Sequence, residues 1–160
     1  MPTAIYPGSF DPITLGHLNI IRRASRIFEE VVVCVMVNSG KTAMFTMEER
    51  MEHLRRVVDR LPNVRVESFN GLLVEYADHF EKPVVVRGLR AVSDFESEFQ
   101  MALINKKMKH DLETVFLASS EKYTYLSSSM VKEMGRYGAD LREFVPYEIL
   151  EDVVERTRRR

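Results

Sequence analysis

At 160 residues the chain is long enough for one domain with its own hydrophobic core and too short for two of ordinary size. Apolar residues make up 45% and charged residues 29%, which excludes a disordered chain. A net charge of −1 with a pI near 6.4 gives no global electrostatic case for nucleic-acid binding, and a single cysteine excludes an internal disulfide framework.

The first strand signal is "TAIY" (3–6), followed by the turn-rich "YPGSFDP" (6–12). At "ITLGHLNII" (13–21) a helix begins, with Leu18, Ile21, Ser25 and Phe28 at helical spacing and one polar interruption. "VVVCVMV" (31–37) is apolar throughout, as a parallel strand covered on both faces would be, and Cys34 within it reads as a buried, inert thiol. Thr46 and Glu49 have capping-box spacing ahead of a stripe of Met47, Met51, Leu54, Val58 and Leu61. "VRVESF" (64–69) is a third strand, closed by the turn pair Asn70-Gly71. "VVVR" (84–87) is a fourth, followed by Gly88 and by a second capping-box spacing at Ser93 and Glu96. "TVFLA" (114–118) is the fifth. Two helices, about 128–137 and 146–157, end the chain, with Pro146 suited to a first turn. The basic "RTRRR" (156–160) reads as a frayed, solvated helix end. His53, His79 and His110 lack metal-ligand spacing and read as surface residues.

This alternation predicts an α/β fold: a single Rossmann-like, doubly wound domain over 1–160, with a five-stranded, mostly parallel sheet and helices on both faces. No signal peptide or apolar run of membrane-spanning length is found, so a cytoplasmic protein without membrane partners is expected.

Ligands of open α/β sheets bind beyond the carboxyl ends of the strands. There the sequence places Ser9, Thr14, Gly16 and His17 after the first strand and Lys41 after the second. "NGLL" follows the third strand, Arg87 and Arg90 close the fourth, and Ser127, Ser128 and Ser129 open a helix after the fifth. Lysine, arginines, histidine and a serine-rich helix start at one sheet edge describe a site for several phosphates. Each residue alone has a plainer reading. The serines equally suit a polar N-cap, Lys41 a solvated loop, His17 an inconsequential helix start, and the arginines surface pairs with Asp94 and Glu98. Only their convergence favours a site. "SGKT" (39–42) lacks the first glycine of a Walker A loop, since position 35 is Val35, and no G-x-G-x-x-G is present.

"GSFDPITLGH" resembles the T/H-x-G-H signature of the nucleotidylyltransferase superfamily, and "LSSSMVKE" its serine-rich second motif. With "MFTMEER" and "RGLRAVSDFESEFQMA", the chain resembles the bacterial phosphopantetheine adenylyltransferases over nearly its whole length, least clearly from about residue 139. T-x-G-H marks only the superfamily; RGLR followed by D-F-E is more specific. The resemblance implies adenylyl transfer from ATP, with Mg²⁺, to 4′-phosphopantetheine, giving dephospho-CoA and pyrophosphate. It implies a catalytic set of His17, Lys41, Ser9 and Arg90, with His17 at the α-phosphate. Ser9, Lys41, Arg87 and the backbone around Leu73 would hold the acceptor's phosphate. ATP would be bound by Ser9, Phe10, His17, Gly88, Leu89, Arg90, Glu98, Tyr123, Thr124, Tyr125, Leu126, Ser127, Ser128 and Ser129. A homohexamer and feedback inhibition by coenzyme A are also implied, with no protein-held metal. Ser9 replaces a frequent threonine, Ser97 a tyrosine, Tyr123 a tryptophan and Leu126 an isoleucine, departures expected to tune nucleotide binding. Rival readings are another superfamily transferase, such as a nicotinamide mononucleotide adenylyltransferase or a cytidylyltransferase, and a non-catalytic adenine-nucleotide sensor.

Overall fold

A computed structural model describes residues 1–37, 40 and 42–158. Five strands form one sheet: β1 (Thr3–Gly8), β2 (Glu30–Met36), β3 (Val64–Phe69), β4 (Pro83–Leu89) and β5 (Glu113–Ala118). Every pairing is parallel and the order is β3-β2-β1-β4-β5. The chain therefore winds outward from β1 to one edge, returns, and continues from β4 to the other. The reversal between β1 and β4 is the switch point at which doubly wound sheets open a crevice.

The register shows that opening directly. Along β2, the whole of β1 is paired, from Thr3 to Gly8. Along β4, only Thr3 to Ile5 are paired, opposite Pro83 to Val85. Beyond Ile5 the two central strands part, while β4 stays paired with β5 through Leu89.

One face of the sheet carries α1 (Leu15–Ile27), α2 (Met47–Val58), α5 (Ser128–Arg136) and α6 (Leu150–Arg158), packed over Ala4, Val31, Val33, Val35 and Val86. The other carries α3 (Leu73–Ala77), whose Tyr76 and Ala77 cover Ile5, Val32, Cys34 and Val85. Beside it runs α4 (Val92–Met108), which touches β4 and β5. Cys34 is buried, and burial pushes its thiol up to about 12, so it is inert as expected. The Thr46–Glu49 capping box forms in both directions. The expected Ser93 cap does not: α4 starts two residues earlier, with Ala91 at the N-cap and no side-chain cap bond.

Two expectations are corrected on the α2–α6 side. His53 is 3% exposed, not superficial; it lies edge-on to Phe45 and within 3.2 Å of Asp152. The final helix is not frayed at Arg156. Its guanidinium donates to the Met44 carbonyl and to Glu49, and stacks over Phe45 at 4.7 Å. Both residues face α2 because Phe45 gives them an aromatic surface, which a count of charges cannot reveal. Arg159 and Arg160 lie outside the described residues.

The α5–α6 crossing depends on Gly135. A Cβ there would sit 2.4 Å from the Thr157 hydroxyl and 2.6 Å from its Cβ. Thr157 cannot swing away, being buried with its hydroxyl bonded to the Val153 and Val154 carbonyls. Gly135→Ala should cost roughly 2 kcal/mol from overpacking, despite alanine's better helix propensity. That is about 6 °C in Tm for a chain of this size; an unchanged melt would show that the crossing relaxes.

Candidate active site

A cavity of about 580 Å³ occupies the split between β1 and β4 and extends under α4. Of the residues expected at the site, Ser9, Phe10, His17, Leu73, Arg87, Gly88, Arg90, Glu98, Tyr123, Leu126, Ser127, Ser128 and Ser129 line it. Leu89 does not; it ends β4, with its carbonyl accepting from the Ser119 amide. Nor do Thr124, bonded to the Ser120 carbonyl, and Tyr125, which is exposed beside Phe144. Lys41 lies outside the described residues.

Why a histidine opens α1 is now explicit. Thr14 is the N-cap, and its hydroxyl accepts from the His17 amide at 3.2 Å. The His17 ring returns the bond: the Thr14 amide donates to Nδ1 at 3.0 Å. Histidine thus takes the place of the glutamate or glutamine usual in a capping box. A backbone N–H can only donate, so Nδ1 must carry the lone pair and Nε2 the proton. Burial, reinforced by the positive charges of Arg87 and Arg90, pulls the imidazole down to about 3. His17 is therefore a neutral, oriented Nε2–H donor in a cavity that Arg87 and Arg90 also line.

Phe10 supports this arrangement from a left-handed backbone at φ 48°, unusual for an aromatic residue. It is buried, edge-on to both Tyr6 (5.4 Å) and His17 (5.1 Å). Gly88 is tightly packed, since a Cβ would sit 3.1 Å from the Ile20 side chain on α1. Gly16 is not. A Cβ there would make only ordinary contacts, 3.4 Å to Thr14 and 3.5 Å to Tyr123. A glycine in the first turn of a helix, where packing does not ask for one, costs stability of about 1 kcal/mol against alanine.

The arginines form the pairs that their plainer reading anticipates. Arg87 donates to both Glu98 carboxylate oxygens, at 2.7 to 3.1 Å, and to the Pro7 carbonyl at 2.6 Å. That bond to Pro7 ties β4 to β1 across the crevice. Arg90 bonds Asp94 and reaches the Leu126 carbonyl at 2.9 Å, holding the segment before α5. Of the serines, Ser127 caps α5 by accepting from the Met130 amide, and Ser128 donates to the Pro12 carbonyl. Ser129 is exposed at the cavity.

Several residues at the site escape sequence reasoning. Asp11 is buried and accepts from the Met44 and Phe45 amides and from Lys132, each at 2.8 or 2.9 Å. Burial alone would raise its carboxyl, but the Lys132 and backbone bonds outweigh it and hold the group below the ordinary range. Arg50 donates to the Ser9 carbonyl at 2.9 Å. Tyr6, Asn105 and Thr114, whose hydroxyl has no partner among the described residues, also line the cavity. An apolar-flanked tyrosine in a strand signals core, and only the register of β1 reveals that it stands at the split.

Comparison with known proteins places this geometry. Residues 5–134 match the cytidylyltransferase-like family. The phosphopantetheine adenylyltransferase of Heliobacterium modesticaldum is 52% identical over 156 residues, covering 98% of this chain and 93% of that protein. Those of Caldanaerobacter subterraneus and Clostridium tetani are 51% and 50% identical, with 98% of each chain covered. A solved structure described as a nicotinate-nucleotide adenylyltransferase, from Vibrio parahaemolyticus, superposes with a TM-score of 0.70 over 96% of this chain and 98% of its own. At 16% identity it supports the Rossmann-like fold alone. With half its residues identical to those relatives over almost its entire length, the chain belongs to the phosphopantetheine adenylyltransferase family.

Proposed function

We propose that the chain transfers the adenylyl group of ATP to 4′-phosphopantetheine, giving dephospho-CoA and pyrophosphate. An oxygen of the acceptor's phosphate attacks the α-phosphorus in line; that P–O bond forms as the α–β phosphoanhydride bond breaks and pyrophosphate leaves. No protein nucleophile is needed, so catalysis is positioning and charge stabilisation. The observation that carries the reading is the oriented Nε2–H of His17 at the split between β1 and β4, on a wall shared with Arg87 and Arg90.

His17 donates to the α-phosphate, where negative charge grows during transfer. Ser9, Lys41, Arg87 and the Leu73 backbone hold the acceptor's phosphate, while Arg90, Gly88, Tyr123 and Leu126 to Ser129 hold ATP beside Phe10. Glu98 serves mainly by orienting Arg87, to which its carboxylate is bonded. Gly16 leaves room for the triphosphate, which accounts for a glycine that packing does not require. Among the described residues no three His, Cys, Asp or Glu side chains gather to hold a metal ion. Mg²⁺ enters on the phosphates of ATP as part of the substrate, and no step is assigned to a protein-held metal.

The same reading includes a homohexamer in the cytoplasm with coenzyme A as a feedback inhibitor. Assembly is supported by the exposed Phe95, Phe99, Met101, Leu103, Ile104 and Met108 on α4, an apolar surface that favours another copy over water. No helix among the described residues is long and apolar enough to cross a membrane.

The test is product formation from ATP and Mg²⁺ with 4′-phosphopantetheine, nicotinamide mononucleotide or glycerol 3-phosphate, resolved by mass. Dephospho-CoA and pyrophosphate from the first mixture alone are expected. Product from another acceptor alone would keep the superfamily and overturn the acceptor, and ATP binding without any product would point to a sensor.

A further inference from the structure

We propose that Tyr6 contacts substrate in this site, its phenolic hydroxyl donating a hydrogen bond to an oxygen of the acceptor's phosphate. The inference rests on the adenylyl-transfer reading and adds to it a residue on the acceptor side.

Tyr6 is the first residue of β1 beyond the stretch paired with β4. It is 5% exposed and lines the cavity, so what remains accessible faces that space. The ring is fixed edge-on to Phe10 at 5.4 Å and lies 6.4 Å from His17. Among the described residues its hydroxyl has no hydrogen-bond partner. The sealed-off polar side-chain atoms without a partner among the described residues are His53 Nδ1 and the Thr114 hydroxyl; the Tyr6 hydroxyl is not sealed off but opens on the cavity, where a bound group can reach it. A phenol fixed at the cavity wall by Phe10, with its hydroxyl committed to no described residue, is placed to donate to a ligand.

The surroundings indicate which ligand. Tyr6 adjoins Pro7 in β1, whose carbonyl accepts from the Arg87 guanidinium at 2.6 Å. Tyr6 therefore stands on the side where the acceptor's phosphate is proposed, with His17 at the α-phosphate next to it. Glu98 cannot serve as its partner, being committed to Arg87. Burial pushes the phenol up to about 12, so it remains protonated throughout the working pH range. It is thus a neutral donor that moves no proton. Holding one non-attacking oxygen of the acceptor's phosphate would turn another toward the α-phosphorus.

Tyr6→Phe removes the hydroxyl and keeps the ring. It should be compared with the unaltered chain by thermal melting and by kinetics with each substrate varied in turn. The expected result is a Tm that is unchanged or raised, with kcat/KM for 4′-phosphopantetheine lower by roughly 10- to 100-fold, the scale of a hydrogen bond to a charged group. Affinity for ATP should stay within about twofold on the same argument. A lower Tm with unaltered acceptor kinetics would make the hydroxyl structural and overturn the inference. Equal losses for ATP and acceptor would overturn its place on the acceptor side. If the unaltered chain itself makes no dephospho-CoA, the adenylyl-transfer reading falls and takes this one with it, whereas an active parent with an indifferent variant removes Tyr6 alone.

Discussion

His17→Ala should lower turnover by at least about 10²-fold, the usual loss on removing one donor to a developing oxyanion, while the protein remains folded. The fold has little stake in the ring. Thr14 keeps its hydroxyl bond to the amide at position 17, while the Thr14 amide loses its acceptor and Phe10 its edge contact, together costing about 1 to 2 kcal/mol. ATP should still bind, because Arg90 and the serine segment are untouched. Single-turnover kinetics with a parallel melt would check this, and near-normal turnover in a folded variant would remove His17 from the chemistry.

The protonation state supplies a second readout from the same residue. In the unfolded chain the imidazole titrates near 6.5; in the folded chain it is held down to about 3. Between those values the unfolded state binds the extra proton, so this group adds stability as pH rises through that window and none above it. For catalysis, the free protein's kcat/KM profile should show no limb near 6.5 from His17. Nitrogen NMR should find a neutral ring protonated on Nε2. A titration near 6.5, or a proton on Nδ1, would contradict the clamp by the Thr14 amide.

How much of this was legible in the sequence differs by level. The strands declared themselves through β-branched runs, almost uninterrupted in the central ones and mixed with polar residues in VRVESF at the edge, and all five fall where those runs put them. The five-residue α3 was too short to show a period, and the cap of α4 was misplaced because an S-x-x-E spacing cannot say which residue leaves the helical conformation. At the site, position after a strand was enough to collect His17, Arg87, Arg90 and the serines at one sheet edge. The sequence also offered the pairs of both arginines with Asp94 and Glu98, which form, but could not decide between pairing and a ligand role. Nor could it separate Ser127, which caps, from Ser129, which is exposed at the cavity. The buried partners were hidden for a different reason: Asp11, His53 and Arg156 each meet residues more than 30 positions away, and local patterns carry no trace of such pairings.

Asp11 has the largest expected effect on the scaffold. Asp11→Asn should lower stability by about 3 kcal/mol, since one partner of a buried, hydrogen-bonded ion pair is lost while the other stays. Asparagine's oxygen can still accept one amide, but its NH₂ then points at a second N–H or at the Lys132 ammonium, where only an acceptor fits. Because the Asp11 carboxyl is depressed, its contribution is present above its unfolded value of 3.8 and fades as pH falls through the folded one. The variant should therefore lose stability at pH 7 and differ less from its parent in acid. Function should suffer beyond the stability loss. Asp11 binds the amides of Met44 and Phe45, on the segment that follows Lys41, and Lys132 of α5, the helix that Ser127 caps. It thus joins the loop proposed for the acceptor to the helix proposed for ATP, and KM for both substrates should rise at temperatures where the variant is fully folded. A variant that melts with its parent, or one that is destabilised yet binds both substrates normally, would break the link between this carboxylate and the shape of the site.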